Sequence, residues 1–383
     1  MSKSFAEIES QTIDWLRPVM AFMVVCLHTQ LFYDVQWALS GGAFDIFIIF
    51  ICKIICPVAV PAFFFVSGYL FYKGLEQWDW AVWRGKMIKR IRSLLIPFVL
   101  WNLIALLAFP LTRWAGSIVS GVPIDDLWGV VQDRGLVRLF WDRTLFNNNI
   151  QNTVNILGWV VPCGQPMNTP LWFVRDLMVV VLFSPVIHWL VKKIKVLFIV
   201  LLAALYIADI WIPVSGFGIR ATFFFSFGSY FAICRRQFIE SFRNAKISAA
   251  VLVLVSLCLL PFLWSKDIPT FKFALRVFII VFIMFVFNII SILIENGRLK
   301  VNRKLADSSF FVYCSHMVII ISVIMGSIML VPTRSEFVQI ILFIVGTVGV
   351  FVTCHLLFLL MDRFCPSLLR LLTGGRQTKT SEK

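Results

Sequence analysis

The residues best equipped for chemistry stand in the first apolar stretch of the chain. Arg17 lies in Ile13-Asp14-Trp15-Leu16-Arg17-Pro18, and His28 follows after ten intervening residues. Eleven steps at about 100° each return a helix to within about 20° of its starting direction, so Arg17 and His28 share one helix face. At ~1.5 Å per residue they stand roughly 16 Å apart along the axis. A guanidinium is planar, permanently charged and multidentate, which suits a phosphate. A neutral imidazole titrates near working pH and can take a proton from a hydroxyl. Together they describe a site for a phosphorylated donor at one level and an alcohol acceptor at another. A plainer reading stands beside it: Arg17 snorkels to the headgroups and His28 bonds a neighbouring helix.

Other polar residues in apolar surroundings form a second tier, because an ionisable group inside a bilayer is costly and expects a partner. Asp14 precedes Arg17 by one helical turn. Arg175 and Asp176 are adjacent, point about 100° apart on a helix and are each expected to find a partner elsewhere. His316, with Tyr313 one turn before it, reads either as part of the site or as a helix–helix hydrogen bond. His188 and His355 read as interhelical contacts. Ser67 and Gly68, set among aromatics, read as close packing rather than as a nucleophile. A basic cluster, Arg84, Lys86, Lys89, Arg90 and Arg92, offers charge for phosphates. No cluster has metal-ligand spacing, and no phosphate-cradling or dinucleotide glycine motif is present.

These residues need helices in a membrane to hold them. Of 383 residues, 60% are hydrophobic and only 14% charged, against roughly 25% charged in soluble domains. Apolar windows of ~20 residues, the length that crosses a bilayer, fall near 13–33, 46–72, 91–111, 171–191, 195–212, 217–234, 246–264, 272–294, 308–330 and 337–361. The expected fold is all-α, a polytopic membrane bundle of about ten transmembrane helices. Of the 35 basic residues, 23 lie in one alternating set of connecting segments, seven in the opposite set and five within the windows. Cytoplasmic loops retain positive charge during insertion, so both termini are expected in the cytoplasm.

The formal net charge of +15 is thereby assigned to lipid topology, and nucleic acid is set aside as a partner. The chain reads as a single integral membrane domain over 1–383, with an external loop at 112–170 and a short cytoplasmic tail at 363–383 that carries no appended domain. Glu7 and Glu9 precede the first apolar run, which lacks a small-residue cleavage site and reads as a retained span. The nine cysteines read mostly as buried thiols, with Cys163 facing outward.

Several segments resemble the membrane-bound acyltransferase 3 family. They are Asp14-x-x-Arg17 with the gap to His28, Pro61-Ala62-Phe63-Phe64-Phe65-Val66-Ser67-Gly68-Tyr69-Leu70-Phe71, Lys89-Arg90-Ile91-Arg92 leading into Leu95-Ile96-Pro97-Phe98, Leu171-Trp172-Phe173-Val174-Arg175-Asp176-Leu177, and Ser308 through His316. The resemblance covers nearly the whole chain, and its most specific element is the Arg17 and His28 pair. Where the family often shows Arg-x-x-Arg, this chain has Lys89 to Arg92, which keeps the charge but gives up one bidentate fork.

The resemblance implies an O-acyltransferase of the bacterial plasma membrane. It would move an acyl group, acetyl in the first instance, from cytoplasmic acyl-CoA to a hydroxyl of an extracytoplasmic or lipid-linked glycan. His28 would be the catalytic histidine, Arg17 its motif partner, and Lys89, Arg90 and Arg92 the acyl-CoA-binding charges. No permanently bound cofactor is expected, acyl-CoA being a substrate. Direct attack by the acceptor and an acyl-histidine relay both remain open. A rival from another class is a secondary transporter, which also uses intramembrane His, Arg and Asp; the paired broken helices and inverted repeats that would favour it are not evident.

Overall fold

The computed structural model describes residues 4–375 apart from 37–41, 76, 121–152, 157–158, 163–165, 213–215, 330, 332 and 334. Cys163, most of the expected external loop and the end of the tail lie outside the described residues. The chain folds as helices because, in lipid, backbone N–H and C=O groups must be satisfied within the segment. The first five are α1 (Phe5–Gln36), α2 (Ala43–Ile48), α3 (Ala59–Tyr72), α4 (Trp80–Arg90) and α5 (Ile96–Ser120). Strands β1 (Thr153–Ile156) and β2 (Trp159–Pro162) then pair antiparallel, with Ile156 opposite Trp159. This hairpin, in the polar segment 112–170, is the one departure from the all-α expectation among the described residues, and the architecture is otherwise helical as expected.

The rest is again helical. It comprises α6 (Trp172–Leu182), α7 (Ser184–Ile194), α8 (Val196–Ala208), α9 (Ile219–Ile233), α10 (Phe238–Asn244), α11 (Lys246–Lys266) and α12 (Ile268–Glu295). The last four are α13 (Arg303–Ser315), α14 (Ile321–Met329), α15 (Glu336–Phe364) and α16 (Pro366–Thr373).

Among the described residues, five helical stretches are long and apolar enough to cross a membrane, or seven if each of two bent pairs is one span. The expectation of ten is therefore met in part, and several helices depart from a long, straight, uncharged span. The first half of α1 carries Glu7, Glu9, Asp14 and Arg17. The helices α8 and α9 have 13 and 15 residues, about 20 and 23 Å at 1.5 Å per residue, short of a ~30 Å hydrocarbon core. The pair α6 and α7 bends by 62° at Phe183. The path from α13 to α14 bends by 60°, through a π-turn at His316–Ile320.

Segments rich in Lys and Arg gather at one end of the bundle, called here the basic end. Asp14 pairs with Arg303 at 2.6 Å, the Glu9 carboxylate accepts from the Ile239 amide at 3.4 Å, and Arg243 pairs with Glu295 at 2.7 Å. At the opposite end the Phe44 amide donates to Glu336 at 3.3 Å, and Arg276 pairs with Asp209 at 2.5 Å. The centre is packed with phenylalanine, and Phe64, Phe65 and Phe223 through Phe225 are fully buried. Helices in lipid gain little from burial against one another and associate through close packing. The α3–α9 crossing shows this: a Cβ added at Gly68 would collide with the Phe225 carbonyl, and one at Gly228 with the Phe65 carbonyl. The packing role expected of Gly68 is the one it has. Five of the eight described cysteines are buried, Cys234 is half-buried, and Cys258 and Cys365 are exposed.

Candidate active site

The π-turn that ends α13 re-aims one side chain. His316 turns toward α1, and its Nε2 lies 3.2 Å from Nδ1 of His28, with ring centroids 5.0 Å apart. His28 Nδ1 is also 2.9 Å from the Val24 carbonyl, and His316 Nδ1 is 3.1 Å from the Val312 carbonyl. A carbonyl oxygen only accepts, so each Nδ1 carries the hydrogen. His316 Nε2 then accepts a share of the His28 Nδ1–H, and the lone pair of His28 Nε2 is left for a reacting proton. If His28 takes that proton, the resulting charge faces the neighbouring imidazole lone pair. This arrangement could orient and support a general base much as a hydrogen-bonded carboxylate does elsewhere, without introducing a second charge.

The Arg17 level is built differently. Asp14 bridges two guanidiniums, Arg17 at 2.9 Å and Arg303 at 2.6 Å. Arg17 keeps 35% of its side chain exposed and lines a cavity of about 310 Å³ with Arg90, Ser67, Asp307 and Ser309. Phe63, Phe173 and Tyr313 also line it, and their rings touch pairwise, with centroids 5.7, 6.2 and 5.8 Å apart. Neither histidine lines this cavity. His316 stands behind the aromatic collar, its ring 6.4 Å from that of Tyr313, whose hydroxyl donates to the Pro170 carbonyl.

The structure thus joins Arg17, Arg90 and Tyr313 around one cavity and joins His28 to His316 beyond it. Lys89 and Arg92 are exposed and do not line the cavity. Arg175 is also absent from its lining, and it pairs directly with Asp176, which the angular spacing of about 100° argued against. Arg175 Nε and Nη2 both lie 3.0 Å from Asp176 Oδ1. The arginine chain is long enough to curl around the helix, and with side chains only 5% and 9% exposed, leaving either charge unpaired would cost far more than the rotamer. His355 Nδ1 contacts Ser308 Oγ at 2.9 Å, and His188 stacks on Tyr72 and Trp78, so both make the interhelical contacts expected of them.

Sequence reasoning missed one polar chain. The Asn102 amide donates to the Phe98 carbonyl at 2.7 Å, Asn168 N donates to Asn102 Oδ1 at 3.0 Å, and Asn168 Nδ2 donates to the Cys314 carbonyl at 2.8 Å. It braces the backbone two residues before His316. The available signal was Asn102 itself, a carboxamide inside an apolar window.

A family model described as an acyltransferase domain, of the acyltransferase 3 type, matches residues 10–359. The chain belongs to this acyltransferase family. The match takes in both levels of the site, Asp14 and Arg17 as well as His28 and His316. The acyltransferase is also 26% identical over 323 residues to the succinoglycan biosynthesis protein ExoH of Rhizobium meliloti, an alignment covering 80% of this chain and 77% of the relative. No solved structure matches it.

Proposed function

We propose that this acyltransferase moves an acetyl group from acyl-CoA to a hydroxyl of an extracytoplasmic or lipid-linked glycan in the bacterial plasma membrane. On this reading ten helices span the bilayer, with the two bent pairs and the short α8 and α9 each counting as one crossing. The basic end and both termini face the cytoplasm, as charge asymmetry directs. The relative's part in succinoglycan biosynthesis supports a polysaccharide as the acceptor class.

The observation that carries the reading is a cavity opening beside Arg17 and Arg90 that stops at an aromatic collar, with the His28 and His316 pair beyond. Acyl-CoA would approach from the basic end, drawn by Lys89 and Arg92. Arg17 and Arg90 would hold its pyrophosphate, and the thin pantetheine arm would pass the collar when Tyr313 shifts. His28 Nε2 takes the proton of the acceptor hydroxyl as that oxygen attacks the thioester carbonyl. The tetrahedral oxyanion collapses, the C–S bond breaks, and the departing CoA thiolate takes the proton back from His28. Because the hydroxyl reacts directly, no acyl-histidine is needed.

The test is acetyl transfer from radiolabelled acetyl-CoA by purified protein in nanodiscs. His28→Ala should reduce turnover by about 10²–10⁴-fold, the usual contribution of a general base, and leave acetyl-CoA binding intact. Substantial activity in that variant, or no acetyl-CoA binding by the parent protein, overturns the reading.

A further inference from the structure

We propose that a second hollow at the basic end, between the last turn of α3 and the end of α9, holds the adenosine 3′-phosphate end of acyl-CoA. The inference rests on the donor reading above. Two abutting hollows of about 640 and 390 Å³ share Leu75, Gln77, Ala232 and Arg235. Lys73 and Arg236 line the first, Lys192 the second, and Arg235 both. Topology asks for basic residues on one side of a membrane, but it does not ask Lys73, Lys192, Arg235 and Arg236 to converge in a concavity, where they outnumber the Glu9 carboxylate. Their convergence is what a phosphate would repay.

The cations are also held in place. Lys73 Nζ sits 5.3 Å over the Tyr69 ring, and Arg236 Cζ 5.9 Å over Tyr230. Arg235 adopts the left-handed φ of 51° in the turn closing α9, a conformation glycine would take more readily. The carboxylate of Glu9, which also lines the hollow, already accepts from the Tyr69 hydroxyl and the Ile239 amide. Beside the charges lies a flat aromatic wall, with Trp78 stacked on His188 at 5.2 Å and 23°. Cations next to an aromatic face suit a phosphorylated purine nucleoside, whose base stacks while its phosphates pair.

The hollow and the central cavity lie on neighbouring sides of one helix end, since Leu70 lines the cavity while Tyr69 and Lys73 line the hollow. A ligand with its nucleoside in the hollow need only reach around the end of α3 to place its pyrophosphate at Arg90. The arm beyond then enters the cavity.

The experiment measures equilibrium binding of acetyl-CoA, 3′-dephospho-CoA and adenosine 3′,5′-bisphosphate to the full chain in neutral-lipid nanodiscs. Arg235→Gln combined with Arg236→Gln should weaken acetyl-CoA and the bisphosphate by about tenfold or more and leave dephospho-CoA almost unaffected. Lys73→Gln, a milder change, should do the same to a smaller degree, and matching unfolding temperatures exclude a folding defect. Undiminished acetyl-CoA affinity in these variants overturns the hollow while sparing the donor reading. A parent protein that binds no acyl-CoA removes both. If anionic-lipid nanodiscs abolish bisphosphate binding, the hollow belongs to lipid headgroups and the proposal is likewise overturned.

Discussion

Where α3 crosses α9, glycine meets carbonyl and the surrounding side chains are phenylalanines; where α1 meets α13, two imidazoles touch and each is tied back to a carbonyl of its own helix. The first contact buries the hydroxyls of Ser226 and Ser229, the latter bonded within its own helix, and tolerates no added atom at Gly68 or Gly228. The second holds its groups by directional bonds of about 3 Å, which a rotated side chain would lose. Shape holds the first contact together, and orientation is what the second provides. A substitution in the first should therefore be read in the amount of folded protein, and one in the second in turnover.

The largest expected effect is at the crossing. Gly228→Leu should destabilise the protein by about 3 kcal/mol or more, since the new side chain meets backbone that cannot give way. Detergent-solubilised yield and unfolding temperature measure this, and a variant with the parent's unfolding temperature would break the comparison. His316→Ala should come next, removing the acceptor at His28 Nδ1–H and lowering turnover about 10²-fold through misorientation. Acetyl-CoA affinity and unfolding temperature should hold steady, and His316→Gln should restore part of the rate. Equal losses in both variants, or a fall in stability to match, would make the imidazole contact structural after all. The smallest effect belongs to Arg303→Gln, whose side chain is 56% exposed. Its pairing with Asp14 should be worth less than about 1 kcal/mol, seen as a slight, salt-sensitive weakening of donor binding, and a large loss would move Arg303 into the site.

The shape-built region was the harder of the two to read from the sequence. Phe63-Phe64-Phe65-x-x-Gly68 and Phe223-Phe224-Phe225-x-x-Gly228 are the same short pattern, and in the structure each glycine meets the third phenylalanine of the other helix. Six residues among 39 phenylalanines are too brief to register as a repeat until the helices cross. Arg17 and His28 were legible because helical periodicity acts within one segment. The distance between His28 and His316 is set by a π-turn that no local propensity announces. The Arg175 and Asp176 pair misled for a related reason: angular spacing describes where Cβ points, not how far an arginine can curl. Span counting succeeded for straight apolar helices and faltered where a helix carries charge early, bends, or is shorter than the bilayer core.

The collar of Phe63, Phe173 and Tyr313 bears on the energetics of the cell as well as on the passage of substrate. On the proposed function, a protein that carries groups from one side of a membrane to the other must not also conduct. With three rings in mutual contact between the cavity beside Arg17 and the imidazole pair, the collar would interrupt a water wire to His28 and so guard the proton gradient. Each charge leaking across would dissipate about 2.3 kcal/mol per 100 mV. On that reading the collar would work as an insulator, admitting a slender uncharged arm for the length of one turnover and keeping the membrane's voltage intact between turnovers.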